Sequence, residues 1–316
     1  MGQATVDVII PSYRPDGSFR NLLKMLSAQT FPVSHILVIN TDEDGWDEAL
    51  IRGIPKAEVF HIEKEEFDHA ATRNMGAGFS DADYLVFMTQ DAMPADDNLI
   101  LSLLRPFEDP AVKAVYGRQL PKKDCRIAEG FVRSYNYPPE GHVRSLKDLP
   151  QYGIKTFFCS NVCAAYDHRV FRELNGFSEP SIFNEDMIYA GRLMRLGYSV
   201  AYAAGAEVYH SHNYSNRIQF RRNFDNGVSQ AMHPELFDGV PSEGEGRKMV
   251  RYVVRRLRSV HRSYLIPGFL VQCAFRLAGF RFGKKYRSLP FRTVERMSLN
   301  REFWKGVMRE SGEGTL

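Results

Sequence analysis

Cysteine is scarce in this chain of 316 residues, which holds only Cys125, Cys159, Cys163 and Cys273. Four irregularly spaced thiols are too few for a disulfide framework, and Cys159 and Cys163 lack the second ligand pair that a zinc site needs. They fit buried thiols in a reducing compartment. The sequence therefore excludes the class of small disulfide-bonded secreted domains.

Three other features are missing. Residues 1–7 contain no basic segment and no apolar run, so we expect no secretory signal and a cytoplasmic location. No Gly-x-Gly-x-x-Gly follows the first apolar segment, which disfavours a nucleotide-dependent dehydrogenase. The apolar stretch 265–274 contains Pro267 and ends before Arg276, short of the ~20 residues that a membrane span needs. We therefore expect this stretch not to cross a membrane.

Charge is unevenly distributed along the chain. The net charge is +3, yet residues 247–309 carry 17 Lys and Arg against two Glu, and the rest of the chain carries −12. The two regions are expected to meet different partners. The length suits one large domain with an appendage, and an apolar fraction of 44% is enough for a sizeable core.

Short apolar segments alternate with helical segments in the first ninety residues. The pattern predicts strands at 6–10, 35–39, 58–62 and 84–88, and helices at 21–29 and 72–80. Such alternation favours an α/β fold with a doubly wound sheet. Further on, the sequence predicts strands at 112–116, 156–165, 199–203 and 207–210, a helix at 185–196 capped by Asn184, and a linker at 234–246.

A lone carboxylate, Asp91, lies just past the predicted strand 84–88. In open α/β sheets, ligands bind in the crevice outside the carboxyl ends of the strands. The alternative is that Asp91 only caps the turn before Pro94. Position alone does not separate the two interpretations.

Four other segments carry polar residues in a fixed order. They are Val8-Ile-Ile-Pro-Ser-Tyr13, Phe67-Asp-His-Ala-Ala-Thr-Arg-Asn-Met-Gly76, Asn184-Glu185-Asp186 and His210-Ser-His-Asn-Tyr214. Together they resemble the motifs of the family 2 glycosyltransferases, which have the GT-A fold. The Phe67-Asp-His lead-in and the Thr-Gln-Asp-Ala-x-Pro stretch are similar to the rhamnosyltransferase branch. The resemblance covers roughly residues 5–235, so we predict a GT-A catalytic domain at 1–235, a mixed doubly wound sheet, and a basic helical region at 236–316.

The resemblance implies transfer of a sugar to a saccharide or lipid-linked acceptor in cell-surface polysaccharide synthesis. Because the sequence offers no second nucleophile at suitable spacing, single displacement with inversion is the simplest mechanism. The expected donor is dTDP-rhamnose. A UDP-hexose donor on the same scaffold stays open. So does a different class of protein, an inactive sugar-nucleotide-binding subunit of a membrane assembly.

The resemblance also implies donor-binding residues, which share positions at strand ends and in the Arg-Asn segment: Pro11, Tyr13, Asn40, Thr41, Asp42, Asp68, Arg73, Thr89, Gln90 and Asp91. Tyr13 beside Pro11 offers a flat surface for a base, and the fork of Arg73 suits planar oxygen acceptors. The alternative for Arg73 is a salt bridge on the helix surface. Asp68 and His69 equally suit capping of the helix that follows them.

A divalent cation is expected beside the departing diphosphate, because it stabilises the charge that develops there. Asp91 is the expected carboxylate ligand of Mn²⁺ or Mg²⁺, and His210 or His212 the imidazole ligand, with the choice between them open. The family's usual Asp-x-Asp is Thr89-Gln90-Asp91 here, so the first carboxylate is missing. The cation is then expected to be held mainly through the donor's phosphates.

Transfer needs a base for the acceptor hydroxyl, and the resemblance assigns it to Asp186. In the first turn of its helix, the helix dipole is expected to keep this carboxylate ionised. Glu185 is expected to assist catalysis by orienting the acceptor. The alternative for both is ordinary acidic helix-start residues.

The basic region combines apolar residues at helical spacing with a cationic face. Val250, Val253 and Leu257 recur on one side and Arg251 and Arg255 lie on others. This pattern is typical of a helix lying on an anionic membrane, here the inner face of the plasma membrane. A face that packs back on the catalytic domain is the alternative, nucleic acid is disfavoured by the many Leu and Phe, and assembly into a homo-oligomer stays open.

Overall fold

The computed structural model describes residues 4–240 and 243–311. Within them, nine strands form one mixed sheet with helices on both faces. The strands are β1 Val6–Tyr13, β2 His35–Thr41, β3 Ala57–Ile62, β4 Tyr84–Met88, β5 Met93–Pro94, β6 Val112–Leu120, β7 His142–Arg144, β8 Cys163–Asp167 and β9 Ser199–Tyr209. The helices are α1 Gly17–Ser27, α2 Ala71–Gly78, α3 Leu99–Leu104, α4 Ile127–Asn136, α5 Leu149–Tyr152, α6 His168–Glu173, α7 Glu185–Arg195, α8 Asn216–Met232, α9 Pro234–Phe237, α10 Glu243–Ser259, α11 Ile266–Lys284, α12 Phe291–Met297 and α13 Arg301–Ser311.

The sheet has a parallel half and a mixed half. Its strand order is β3-β2-β1-β4-β8-β6-β9-β5, with β7 paired to β9. Strands β3, β2, β1 and β4 are parallel, whereas β8 runs antiparallel to both β4 and β6. The predicted α/β architecture with a mixed doubly wound sheet is confirmed. Because β1, β2 and β4 are parallel, their carboxyl ends meet at one edge of the sheet.

Strand β4 lies at the centre of the molecule. Leu85, Val86, Phe87 and Met88 are fully buried, with Leu85 and Phe87 in the core on one face and Val86 and Met88 in the core on the other. Burying a side chain of this size stabilises the fold by about 1.5–3 kcal/mol. Because β4 is packed on both faces of the sheet, its end and the turn at Asp91 are held in one position.

Two of the predicted strand boundaries are wrong. The segment 156–165 is not one strand, because a 3-10 helix, Gly153–Phe157, precedes a loop and the strand begins only at Cys163. The predicted strands 199–203 and 207–210 are one strand, β9, whose pairing with β6 shifts register after Gly117. The loop that replaces the predicted strand contains Ser160 and Asn161, and both contact the site described below.

The segment predicted as a linker is partly structured. It contains helix α9, in which Leu236 and Phe237 are buried, and the first residues of α10. Residues 241 and 242 lie outside the described part of the chain. Because Leu236 and Phe237 are buried, this segment is packed against the rest of the protein and is not a flexible linker.

The apolar side of α10 packs against helices α4 and α11. Val253 and Leu257 are fully buried and form a cluster with Val132 of α4 and Phe269 of α11. The expectation that these side chains lie in a membrane is therefore wrong. For α10, the alternative of packing back on the domain describes the structure.

Helices α8 and α11 cross at very close range. A methyl group on Gly279 or Gly283 would collide with backbone atoms of Phe220 or Phe224, and one on Gly227 would collide with the backbone of α11. Small residues allow two helix backbones to approach in this way. The C-terminal helices are thus joined to the helix that follows the His segment.

Helix α11 is longer than the sequence pattern indicated. Residues Ser263–Lys284 form a helical segment of 22 residues that is long and apolar enough to cross a membrane by length and composition. The expectation that this stretch is too short for a span is therefore wrong. Phe269, Gly279 and Gly283 of this segment pack inside the molecule. The opposite side leaves Leu270, Val271, Phe275 and Phe282 exposed.

Candidate active site

Three side chains from different elements converge at the carboxyl edge of the sheet. Asp91 follows β4, while His210 and His212 follow β9, and the short pair β5–β9 holds the two segments together. The Nε2 atoms of His210 and His212 lie 3.4 and 3.3 Å from the carboxylate oxygens of Asp91. The possible ligand atoms of all three lie within 4.8 Å of one another. The sequence left open whether His210 or His212 lies beside Asp91. In the structure both histidines do.

The charges at this cluster suit a divalent cation. Burial alone would raise the pKa of Asp91, but His210 and Lys122 hold it well below its ordinary value. Burial lowers the pKa of His210, and burial with the neighbouring His210 lowers the pKa of His212 to about 4. One ionised carboxylate and two neutral imidazoles are the protonation states that metal binding requires.

Gln119, at the end of β6, sets the orientation of the His210 ring. Its Oε1 lies 3.0 Å from Nδ1 of His210 and also accepts from Arg133, while its Nε2 donates to Ser160 Oγ at 3.0 Å. Because Oε1 can only accept, Nδ1 of His210 carries the proton and Nε2 presents its lone pair to the cluster. A partner of this kind on the second ring nitrogen is usual for a metal-binding histidine.

Lys122 is a cation at the site that the sequence interpretation missed. Its Nζ lies 3.0 Å from Oδ2 of Asp91. Its backbone N–H donates to Ser211 Oγ at 3.0 Å, which ties the end of β6 to the His segment. Both charges are about one-third exposed, so this ion pair contributes little stability. Its position beside Asp91 places a positive charge where an anionic ligand would meet the cluster.

Asp186 and Glu185 begin helix α7. Asn184 precedes them with φ 62°, in the left-handed region, and makes no cap hydrogen bond. Its side chain donates instead to Asn226 Oδ1 at 3.0 Å, so the predicted capping role of Asn184 is wrong. Asn tolerates this backbone region better than most residues. The sharp entry into α7 points the two acidic residues back toward the loop before β8.

Asn161 in that loop contacts both acidic residues. Its backbone N–H donates to Oδ2 of Asp186 at 2.9 Å, and its side-chain amide donates to Oε1 of Glu185 at 3.1 Å. Burial and the adjacent Glu185 raise the pKa of Asp186 to about 7. Burial and Glu185 therefore act against the helix dipole that was expected to keep Asp186 ionised. A carboxyl group that titrates near neutrality can act as a general base.

Arg73 pairs with Glu185 inside the protein. Its Nη1 lies 3.3 Å from Oε1 of Glu185 and donates to the His69 carbonyl at 2.8 Å, and both charged side chains are almost fully buried. Burial alone would raise the pKa of Glu185, but Arg73 and His69 bring it below its ordinary value. Glu185 is thus the more acidic member of the pair. Arg73 forms a salt bridge, as in the alternative interpretation, but an internal one that joins α2 to α7.

Several residues named for the donor have open polar groups or exposed surfaces. Tyr13 at the end of β1 is 40% exposed, and the carboxamide of Gln90 holds its backbone N–H and carbonyl at 2.7 and 3.1 Å. The hydroxyls of Thr41 and Thr89 are buried and have no hydrogen-bond partner among the described residues. Buried hydroxyls are normally satisfied, so these two are unusual in lacking a partner.

Other residues named for the donor are used inside the protein. Asn40 is fully buried and bonds Ser12, the Asp42 carbonyl and His61. The Asp42 carboxylate pairs with Arg14 at 3.0 Å. Asp68 accepts from the backbone N–H groups of residues 70, 71 and 181, which is the capping role foreseen as its alternative.

Pro11 lies inside β1, half-buried and opposite Ile39 of β2. Its ring sits two residues before Tyr13, at the end of the strand that reaches the site. Pro11 does not reach the cluster at Asp91 through any described contact.

The residues that the sequence interpretation missed are Gln119, Lys122 and Asn161. Gln119 is the penultimate residue of β6, Lys122 lies two residues after that strand, and Asn161 lies two residues before β8. Polar residues at the ends of otherwise apolar strands were a usable signal at Asp91, and the same signal was present at these positions.

Comparison with known proteins identifies the family. The sequence model described as glycosyl transferase family 2 matches residues 7–174. Over 312 residues, the chain is 36% identical to the O-antigen chain rhamnosyltransferase RfbN of Salmonella typhimurium, covering 98% of each. The chain belongs to glycosyl transferase family 2. This glycosyltransferase is also 34% identical over 311 residues to the O-antigen chain rhamnosyltransferase WbaN of Salmonella anatum, covering 97% of this chain and 98% of WbaN.

Solved structures confirm the GT-A fold of the glycosyltransferase. The mannosyltransferase PcManGT from Pyrobaculum calidifontis, in complex with GDP-Man and Mn²⁺, matches 99% of this chain and 88% of its own, with a TM-score of 0.57 and 13% identity. TarS 1–349 from S. aureus, in complex with UDP-GlcNAc, matches 98% of this chain and 92% of its own, with a TM-score of 0.54 and 12% identity. At such low identity these likenesses concern the fold alone.

Proposed function

We propose that this glycosyltransferase moves L-rhamnose from dTDP-rhamnose to a saccharide or lipid-linked acceptor, with inversion at the anomeric carbon. The observation that carries the proposal is the meeting of two distinct acidic sites at one sheet edge. Asp91 with its two histidines suits the diphosphate of a donor, and Asp186, with a pKa near 7, suits a base. The donor sugar is inferred from the full-length similarity to O-antigen rhamnosyltransferases.

Asp91, His210 and His212 are the residues that would hold Mn²⁺ or Mg²⁺. Their donor set, a carboxylate and two imidazoles with Nε2 turned inward, fits Mn²⁺ best, since Mg²⁺ prefers oxygen ligands throughout. A bound cation would offset the charge of the leaving diphosphate. Lys122 adds a protein cation to the same place and contributes to diphosphate binding.

The donor's nucleoside is placed at the ends of β1 and β2. The exposed ring of Tyr13 provides a stacking surface, and Gln90 holds its backbone in place. The unpartnered hydroxyls of Thr41 and Thr89 supply hydrogen bonds for the ribose. Asn40 and Asp68 keep internal roles in this arrangement, because their polar atoms are already bonded within the protein.

The transfer step is a single displacement. An acceptor hydroxyl oxygen attacks the anomeric carbon as its proton passes to the carboxylate of Asp186, and the bond from that carbon to the diphosphate oxygen breaks. The nucleoside diphosphate leaves with the bonding electron pair. Glu185 keeps its negative charge beside Arg73, and this charge raises the proton affinity of Asp186. A positioned base of this kind contributes about 10²–10⁴ to the rate.

The exposed apolar side of α11 is proposed to contact the inner face of the plasma membrane. Leu270, Val271, Phe275 and Phe282 lie on it, in a region that carries a net charge of +15 over residues 247–309. Apolar side chains with surrounding Lys and Arg suit an anionic lipid surface. A location on the cytoplasmic side also gives the enzyme access to nucleotide sugars and to a lipid-linked acceptor.

A thermal-shift panel of nucleotide sugars tests the donor. dTDP-rhamnose with Mn²⁺ should raise the melting temperature more than UDP-glucose, UDP-GlcNAc or GDP-mannose, because binding to the folded state alone stabilises it. Incubation of the best donor with an acceptor saccharide should then release nucleoside diphosphate. Stabilisation by a UDP-hexose instead would replace the donor assignment, and stabilisation without any transfer would favour an inactive binding subunit.

A further inference from the structure

The carboxamide of Gln119 is buried and has four polar contacts among the described residues. The residue is 3% exposed. Its Oε1 lies 3.0 Å from Nδ1 of His210 and also accepts from the guanidinium of Arg133. Its Nε2 donates to the Tyr137 hydroxyl and, at 3.0 Å, to Ser160 Oγ. The orientation of this amide therefore decides whether the His210 ring faces an acceptor or a donor.

Three of these four partners suit either orientation of the amide. The hydroxyls of Tyr137 and Ser160 can donate or accept, and a nitrogen of a neutral imidazole does one or the other according to its tautomer. A guanidinium only donates, so Arg133 has to face the amide oxygen. Among the described contacts of the carboxamide, the one with Arg133 is thus the contact that fixes which end faces His210.

Neighbouring residues hold Arg133 in place. Its side chain lies in α4 and is 13% exposed, and its Nη2 lies 3.6 Å from Oε1 of Glu129. Glu129 also accepts from Arg276 of α11 at 2.9 Å. The guanidinium of Arg133 lies 5.9 Å from the centroid of the Tyr137 ring. These contacts keep the guanidinium beside Gln119.

The opposite orientation of the amide would reverse the tautomer of His210. With Nε2 of Gln119 toward the ring, Nδ1 of His210 would have to accept, and the ring proton would lie on its Nε2. That nitrogen is 3.4 Å from a carboxylate oxygen of Asp91. The cluster would then present a proton where a cation needs a lone pair.

We propose that Arg133 is a positioning residue of the cation site. It fixes the amide of Gln119, and the amide fixes the tautomer of His210 that leaves Nε2 free for Mn²⁺. The proposal deepens the proposed function and rests on the cation assignment made there. Among the described contacts, Arg133 has none with Asp91 or with either histidine, so its effect passes through Gln119.

The test compares Arg133→Met with the wild-type full chain in two measurements. Mn²⁺ affinity without donor is measured by electron paramagnetic resonance of the free ion. It should fall about 10–100-fold, the usual cost of losing an outer partner of a metal-binding histidine. The tautomer in the metal-free protein is read by ¹⁵N NMR of labelled histidine, and His210→Gln assigns the signals. The wild type should carry the proton on Nδ1 of His210, and the variant should carry it at least partly on Nε2.

Two further variants of Arg133 separate the donor role from packing. Arg133→Lys keeps a group that only donates, so it should return the tautomer toward that of the wild type. Arg133→Gln should behave as Arg133→Met does, because its own amide can turn and no longer dictates the orientation of Gln119.

Arg118→Met is the matched control. Arg118 lies in β6 beside Gln119 and pairs with Glu207 at 2.8 Å, so this variant also loses an ion pair but leaves the contacts of the amide intact. Both measurements should give the wild-type result.

A proton that stays on Nδ1 of His210 in Arg133→Met would overturn the inference, even beside a lower Mn²⁺ affinity, because Arg133 would then act through packing alone. A Mn²⁺ affinity equal to that of a Mn²⁺-binding wild type would also overturn it. Absence of Mn²⁺ binding in the wild type would overturn the cation assignment of the proposed function, and the tautomer measurement would still decide whether Arg133 acts on His210.

Discussion

The backbone N–H of Asn161 donates to the carboxylate of Asp186 at 2.9 Å. The residue before it, Ser160, accepts from Gln119, which in turn holds His210 beside Asp91. One short loop is therefore bonded to both halves of the site. The proposed base and the proposed cation site have a fixed relationship because the same loop positions them.

Asp186→Asn should abolish the base without removing the donor site. We expect the transfer rate at saturating donor to fall about 10²–10⁴-fold, with donor affinity nearly unchanged, since the carboxylate acts on the acceptor. Calorimetry gives the affinity and product formation gives the rate. The matched control is Asp238→Asn, at an exposed position outside the site. Transfer at the wild-type rate would show that Asp186 is only a helix-start residue.

The transfer rate should depend on pH through Asp186. Burial and Glu185 raise the pKa of this carboxyl group to about 7, and it accepts a proton only when ionised. The rate should therefore fall as pH decreases through 7, by about tenfold for each pH unit below it. Glu185→Gln removes the neighbouring negative charge, so it should move this fall to lower pH. A rate that stays constant between about pH 5 and 8 with donor affinity also constant would contradict the assignment.

Asp91→Asn should remove the part of donor binding that depends on Mn²⁺. The carboxylate is the one ionised ligand of the described cluster, and the two imidazoles that remain are neutral. Donor affinity is measured with Mn²⁺ and with a chelator. We expect the two values to converge in the variant and to differ in the control Asp81→Asn, which changes an exposed carboxylate elsewhere. An undiminished response to Mn²⁺ in Asp91→Asn would place the cation elsewhere.

Gly283→Ala should destabilise the whole protein. The added methyl group would meet the Phe224 carbonyl at the crossing of α8 and α11, and overpacking of this kind costs about 1–3 kcal/mol. Gly268→Ala on the same helix is the control, because nothing lies within 4 Å of the added atom. Chemical denaturation measures the free energy of unfolding of both. Equal stabilities would mean that α11 is not held against α8 in solution.

Leu270→Ser together with Phe275→Ser should weaken binding to anionic liposomes at least about tenfold, because each apolar side chain that enters the lipid contributes about 1.5–3 kcal/mol. Leu299→Ser, at another exposed position outside α11, should leave binding unchanged. Co-sedimentation at low salt gives the bound fraction. Equal binding of all three proteins would remove α11 from the proposed membrane contact.

Much of the fold followed from the sequence because strands such as β4 are apolar throughout and bounded by polar turns. The segment 156–165 was misassigned because Phe157, Phe158 and Cys159 are apolar whether they belong to a 3-10 helix or to a strand. Periodicity does not separate these cases over so few residues. Similarly, the apolar residues of α10 were predicted to contact a membrane, because the sequence does not reveal that α4 covers them.

The sequence named candidate residues where a motif contains them, and it did not name those that only the fold brings to the same place. Asp91 and His210 are 119 residues apart in the sequence, and the pairing of β5 with β9 brings them together. Lys122 and Asn161 carry no motif, so their roles depend on the sheet order that places β8 beside β4 and β6 beside β8. Asn40 stood at the expected position, but its neighbours Ser12 and His61 occupy its polar groups.

The glycine crossing of α8 and α11 limits how this enzyme can be recombined with its relatives. Residues 216–232 and 266–284 touch backbone to backbone, so their side-chain sizes must match as a pair. A chimaera that joins two parents between these helices would pack the glycines of one parent against residues that were not matched to them. A chimaera with a relative therefore requires a junction before residue 216, so that both helices come from the same parent.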